Sequence, residues 1–434
     1  MKPLSKTLSV LAAGALLSAG AEAQNVFDIS PDFPGILSAT INVAQPGDVI
    51  LLRPGTYGNA GTPSSPATTI LDKPLTLISS SEGPVTLQGY LLVQNIDQGE
   101  TVVIRGLDFN CKPAPSANLA IPRNLGTFNF DGFLWLEECT FDPGLADAPS
   151  SGGQLALTGP GGSLFPQAEC VISRCTITGS DALATGSSGG QDGIRAINMS
   201  IAMYASTVSG GDGRDQIVGA GDGGEGLKLE NSYLHSSGST ISGGKGGDHT
   251  GTDIFSQGGD GGDAIDAFSG SDVDLADTVL TPGAGGINVS FPNPGPDGLD
   301  VRLSVDSDLR LLDGTATQTI IESPVNDGTG YQLAHIGPPG ALLFYIASAD
   351  PTFFATGAYV YHGELLTEFD FIGPTGVTFV NASLNDYVKA PAEAGFLYVQ
   401  TMSFVDNGMG GAAFNGLSSP SVMVVIEPSA AVVP

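Results

Sequence analysis

The sequence predicts an all-β protein: a right-handed, single-stranded parallel β-helix with an N-terminal cap over residues 24–300, followed by a small C-terminal β-sandwich over 301–434. Three observations predict it. The stretch from Gly193 to Gly211 aligns without a gap on Gly226 to Gly244, an offset of 33 residues, and a third copy from Ala264 to Gly283 follows with one gap. A six-residue phrase also recurs, as Leu136-Glu-Glu-Cys-Thr-Phe141, Ile172-Ser-Arg-Cys-Thr-Ile177 and Met203-Tyr-Ala-Ser-Thr-Val208. Repeats of this length mark solenoids, in which each unit buries a face that its neighbour supplies. After about Asp300 the glycine-run repeat stops, and longer strands separated by Pro/Gly turns take over.

From the N-terminus, Lys2 and Lys6, an apolar run from Leu8 to Leu17 and the small-residue ending Ala21-Glu-Ala23 read as a secretory signal peptide over residues 1–23. The apolar run is too short to span a bilayer, and no later segment approaches the ~18 consecutive apolar residues that a membrane span needs. Leu37, Ile41 and Ala44 share one face of a predicted short helix, which Pro46-Gly47 stops before a buried strand at Val49–Leu52. Strand-like segments follow at Pro74–Ile78 and Val102–Phe109.

In the recurring phrase, the two-residue period of a strand turns Cys139, Cys175 and Ser206 inward, Thr140, Thr176 and Thr207 outward, and Phe141, Ile177 and Val208 inward again. Equivalent positions stack ~4.8 Å apart in successive coils. Cys139 and Cys175 therefore share one inward slot, where a disulfide and a stack of buried free thiols are both open readings. With Cys111 and Cys170 the chain has four cysteines, for which three full pairings exist. The outward Thr140/Asp142, Thr176/Thr178, Thr207/Ser209 and Thr240/Ser242 pairs predict a hydroxyl ladder that could meet an ordered surface. Threonine is equally the ordinary solvent-side residue of a strand. Strands of the C-terminal part are expected at Ala341–Ala347, Thr375–Val380, Phe396–Met402 and Val422–Ile426.

The opening from Ile41 to Tyr57, with its Pro54-Gly-Thr-Tyr57 turn, resembles the start of the pectin-lyase-like family of β-helix proteins. That resemblance implies a secreted protein whose short helix closes the open end of the coil. Among the family's pectate lyases, Ca²⁺ neutralises a uronate carboxylate while a basic side chain removes the adjacent proton. On that reading Lys228 or Arg195, which share an outward register with Asp266, is the base. The N-T-D and G-H-G phrases of polygalacturonases and the D-P-H-D phrase of alginate epimerases are absent.

Forty-five acidic against fifteen basic residues give a formal charge of −30, which argues against nucleic acid as a partner. The repeat places Asp192, Glu225 and Asp263 in one register, so three carboxylates stack on neighbouring coils, at an electrostatic cost unless one is protonated or a cation sits among them. Asp222 and Asp260 in the adjoining glycine runs could add oxygen ligands for Ca²⁺. Gly210–Val218 and Gly258–Asp266 fit the G-G-x-G-x-D-x-U-x calcium repeat, and Gly243–Asp248 fits its first six positions. The competing reading of these runs is a glycine-rich corner that needs close packing or positive φ. The four histidines are scattered, and no G-x-S-x-G elbow is present.

The expectation is a secreted or cell-surface, non-catalytic protein that binds polysaccharide or extracellular matrix along its coil faces, with Ca²⁺ as the one candidate cofactor. The alternatives are a polysaccharide lyase or hydrolase acting on a uronate-containing polymer, and a purely structural surface protein.

Overall fold

The computed structural model describes residues 24–426, apart from 34, 59–67, 81, 111–123, 143–153, 161–167, 183–188, 218, 253–255, 292, 322, 327–329, 338–341, 349–350, 355–364, 368–370, 375–382, 390–394 and 407–411. The signal-peptide expectation, Cys111 and the strand expected at Thr375–Val380 lie outside the described residues.

Each coil contributes one short strand to each of three parallel sheets. One coil runs Ile194–Ile197, Met199–Tyr204, Thr207–Ser209, and the next repeats this as Leu227–Glu230, Tyr233–Ser237, Thr240–Ser242. Stacking gives a ten-stranded long sheet that includes Met199–Tyr204, an eight-stranded corner sheet that includes Ile194–Ile197, and an eight-stranded threonine sheet that includes Thr207–Ser209. The offset of the repeat is the register of the fold, since Ile194 pairs with Leu227, Ser200 with Tyr233 and Thr207 with Thr240. This is a parallel β-helix, and its coil continues past residue 300: Val301–Leu303 and Asp308–Leu312 add the last strands of the corner and long sheets.

Single residues with positive φ bend the chain between sheets. Asn95, Asn129, Asn198 and Asn231 make the bend from corner sheet to long sheet, and asparagine tolerates that conformation better than most side chains. Their amides stack as well, with Asn231 Nδ2 donating to Asn198 Oδ1 at 2.7 Å. The bend from long sheet to threonine sheet uses Gly106, Glu138, Arg174, Ala205, Gly238 and Asp277.

The period-two reading of the strands holds. Cys139, Cys175 and Ser206 are buried, Phe141, Ile177 and Val208 fill the core, and Phe109 stacks on Phe141 with ring centroids 4.5 Å apart. At the N-terminal end the helix Ile36–Val43 lays Leu37 and Ile41 on this core, and Ala44 just beyond it is equally buried. Those three residues are the helical face expected from the sequence. The core left open by the first coil is thereby closed.

Glycine-rich arms project between the threonine sheet and the next corner strand. Along one outgoing leg, the N–H of Gly243 donates to Thr281 O, that of Gly244 to Gly224 O and that of Lys245 to an Asp212 carboxylate oxygen. The next triplet repeats the directions: Gly246 to Ala284 O, Gly247 to Gly221 O, Asp248 to an Asp215 carboxylate oxygen. Three bond directions in three residues, none of them within the leg, is the signature of a three-residue-per-turn extended helix of the polyproline II type. The legs pack closely enough that a Cβ on Gly244 would lie 1.9 Å from Gly211 O. Glycine is required here for close approach.

The C-terminal part forms small, mainly antiparallel sheets, of which Gly395–Asp406 and Ser421–Ile426 pair directly. These strands fold back over the outer face of the long sheet. Tyr398 and Val422 cover Val103, Phe133, Trp135, Val171, Ala202 and Tyr204, while Val424 covers Val26, Val49 and Ile78. The ring centroids of Trp135 and Tyr398 are 4.9 Å apart.

Candidate functional site

The acidic column exists as the repeat predicted. Leu227 pairs with Ile194 and Ile265, which aligns Asp192, Glu225 and Asp263 at the entrance to three successive corner strands. The carboxylates bond backbone of the next coil. Asp192 Oδ1 accepts the N–H of Glu225 at 3.2 Å, and Asp263 Oδ1 accepts that of Leu299 at 2.7 Å. In the arms Asp222 does the same for Asp260, at 2.9 Å.

The two neighbouring acids are shifted in opposite directions. Burial first, and the hydrogen bond to Glu225 next, hold the Asp192 carboxyl well above the usual range. Burial alone would raise Glu225 too, but the hydrogen bond from Asp192 and the charge of Lys228 outweigh it and leave Glu225 low. Burial and the neighbouring acid thus favour the protonated form of Asp192 and the ionised form of Glu225. Burial likewise raises Asp263, against which Arg302 Nε stands at 2.8 Å.

Arg195, Lys228, Asp266 and Arg302 form the adjoining outward column. Lys228 Nζ lies 3.4 Å from Glu225 and 3.4 Å from Asp266. Burial would lower its pKa, yet the neighbouring acidic groups, Glu225 foremost, raise it. An ammonium held in its protonated form is poorly suited to abstract a proton near neutral pH. Among the described residues no group of three or more His, Cys, Asp or Glu is placed to hold a metal ion.

A second cluster was missed by the sequence reading. At the bend beneath the C-terminal strands, Glu137 is fully buried and Arg105 and Arg174 flank it. Glu137 accepts from Trp135 Nε1 at 2.8 Å, Ser421 Oγ at 2.6 Å and Val422 N at 2.9 Å. Arg105 donates to Ile321 O at 2.7 Å and Arg174 to Thr319 O at 3.0 Å. Burial would raise Glu138, but both guanidiniums hold it below its usual range. The sequence signal was present in outline: Arg105, Glu137, Glu138 and Arg174 sit at or beside the same bend in successive coils. The cluster fixes the C-terminal part to the coil, and every charged group in it is already engaged by protein.

The threonine sheet presents the remaining candidate. Thr176, Thr207, Thr240 and Val279 form one outward column, and Thr178, Ser209, Ser242 and Thr281 form the next. The first column is exposed throughout and the second is exposed or half-buried. Ideal parallel strands space such side chains ~4.8 Å across the sheet and ~6.6 Å along it. No charged residue interrupts these four strands, although Asp108 and Asp142 occupy earlier coils.

No protein-family model matches the chain, and no curated protein matches it in sequence.

Proposed function

We propose that the protein is a secreted or surface-displayed, non-catalytic β-helix that binds a neutral polysaccharide on its threonine sheet. The observation that carries this reading is the outward hydroxyls of four adjacent three-residue strands that hold no charged residue, on a chain of net charge −30. Ordered sugar hydroxyls need regularly spaced donors and acceptors, whereas a polyanion would be repelled by the surrounding acids. The other faces are less suited: the C-terminal strands cover the long sheet, and the corner sheet carries ion pairs that satisfy one another. Likeness to the pectin-lyase-like family over Ile41–Tyr57 and the signal-like residues 1–23 support export and an extracellular polymer as partner.

Co-sedimentation of purified protein with insoluble neutral glucans and chitin tests the reading. Thr207→Lys with Thr240→Lys places two long, charged side chains on the array, and adsorption is expected to weaken about tenfold or more, roughly 1.4 kcal/mol. Equal adsorption by the variant and the parent would remove the face from the account. The lyase alternative would return if uronate polymer plus Ca²⁺ gave unsaturated product in a Lys228-dependent manner. Calcium is not required by this reading, because the arms are joined through amides and carboxylates.

A further inference from the structure

We propose that Cys139 and Cys175 become joined by a disulfide across adjacent coils when the chain folds in an oxidising compartment. The pairing of Thr140 with Thr176 makes the preceding cysteines vertical neighbours on parallel strands, and the N–H of Thr176 donates to Cys139 O at 2.9 Å. Neighbouring parallel strands lie about 4.8 Å apart, inside the Cα separation a disulfide tolerates. Both cysteines are 1% exposed, and their thiols point into the core, that of Cys139 bonding Glu137 O and that of Cys175 bonding Ser173 O. Cys170, the other described cysteine, is aligned with Leu134 and Ile201 instead, so no sulfur stacks above or below it.

The reaction is thiol–disulfide exchange with an external disulfide, either a low-molecular-weight one or that of an oxidoreductase. One cysteine thiolate attacks the donor, displacing a donor thiolate and forming a mixed disulfide. The second cysteine, deprotonated, attacks the mixed disulfide, forming the Cys139–Cys175 bond and releasing the other donor thiolate. Two electrons pass to the donor, and the two protons lost by the cysteines are taken up by its thiolates. Because burial pushes the Cys175 thiol far up in the finished fold, exchange belongs to the stage at which these coils are closing. The product would covalently fasten two rungs that backbone hydrogen bonds and side-chain packing now hold.

The test uses the full chain, produced in an oxidising compartment and also refolded with mixed oxidised and reduced glutathione. Free thiols are alkylated in denaturant, and the chain is digested and analysed by mass spectrometry. The expected result is a linked peptide pair containing Cys139 and Cys175, lighter by two hydrogens, with Cys170 alkylated. Alkylation of Cys139 and Cys175 without prior reduction, or linkage of either to Cys170 or Cys111, would overturn the proposal. A reductant should lower the Tm of the parent and leave that of Cys139→Ala/Cys175→Ala unchanged; an equal drop in both would count against the cross-link. The peptide analysis needs no variant, so a poorly folding double mutant leaves the proposal testable.

Discussion

Replacing Glu137 should release the C-terminal strands before the coil unfolds. Its carboxylate lies between guanidiniums whose side chains are only 5% and 11% exposed, and it accepts three further donors from Trp135, Ser421 and Val422. Glu137→Gln keeps an acceptor but removes the charge, leaving Arg105 and Arg174 to share the half-exposed Glu138. Breaking a buried pair in this way costs about 3–5 kcal/mol. Glu137→Ala should cost more, because each orphaned donor adds about 1–3 kcal/mol. Trp135 is the only tryptophan and packs on Tyr398, so its fluorescence reports the docked interface directly. In urea, the fluorescence transition of Glu137→Gln should move to lower denaturant and separate from the far-UV circular dichroism of the coil. A fluorescence midpoint indistinguishable from that of the parent would refute the view that this ion cluster holds the two parts together.

Other outcomes are expected from particular groups. Glu169 is raised to about 7 by burial alone, so its folded form holds a proton that the unfolded chain releases near pH 4.5; its contribution to stability should fade as pH rises between those values, and Glu169→Gln should flatten that part of the stability profile. Glu138 works in the other direction: its lowered value gives stability that is present above about pH 4.5 and lost on acidification, and Glu138→Gln should make the fluorescence-reported interface less sensitive to acid. Gly244→Ala forces a Cβ to 1.9 Å from a carbonyl oxygen and should cost about 1–3 kcal/mol in a urea titration, whereas Gly189→Ala, 3.5 Å from its nearest neighbour, should stay within about 0.5 kcal/mol. A melting curve unchanged by EGTA is the expected result for the intact chain; a clear drop in Tm would bring a bound cation back into the arms.

The coil was legible because its determinants are local and repeated. Thr207 and Thr240, or Cys139 and Cys175, occupy the same position in a short phrase, and the two-residue strand period does the rest. The acidic column was equally readable as an alignment, but its chemistry was not. The opposite shifts of Asp192 and Glu225, and carboxylates bonded to amides one coil away, depend on burial and on partners that no spacing reveals. In the arms, the G-G-x-G pattern was read both as a calcium repeat and as a close-packed corner, and the close packing is what the glycine contacts display. Which partner each N–H meets was decided by neighbouring legs on either side. The docking of Tyr398 and Val422 on Trp135 joins segments more than 250 residues apart, with no periodic signal to connect them.

The arms separate what must stay constant from what can vary. Their legs meet through the same triplets from coil to coil, while the bonds that join the two legs of an arm, Gly221 to Arg214, Gly259 to Gly247 and Gly295 to Gly286, leave stretches of chain of different length beyond them. Changes of length are thus absorbed at the outer tips, away from the registry of the sheets. A guest peptide grafted beside the exposed Gly219 would be carried on a rigid stalk with both its ends anchored, which makes this architecture a natural display frame.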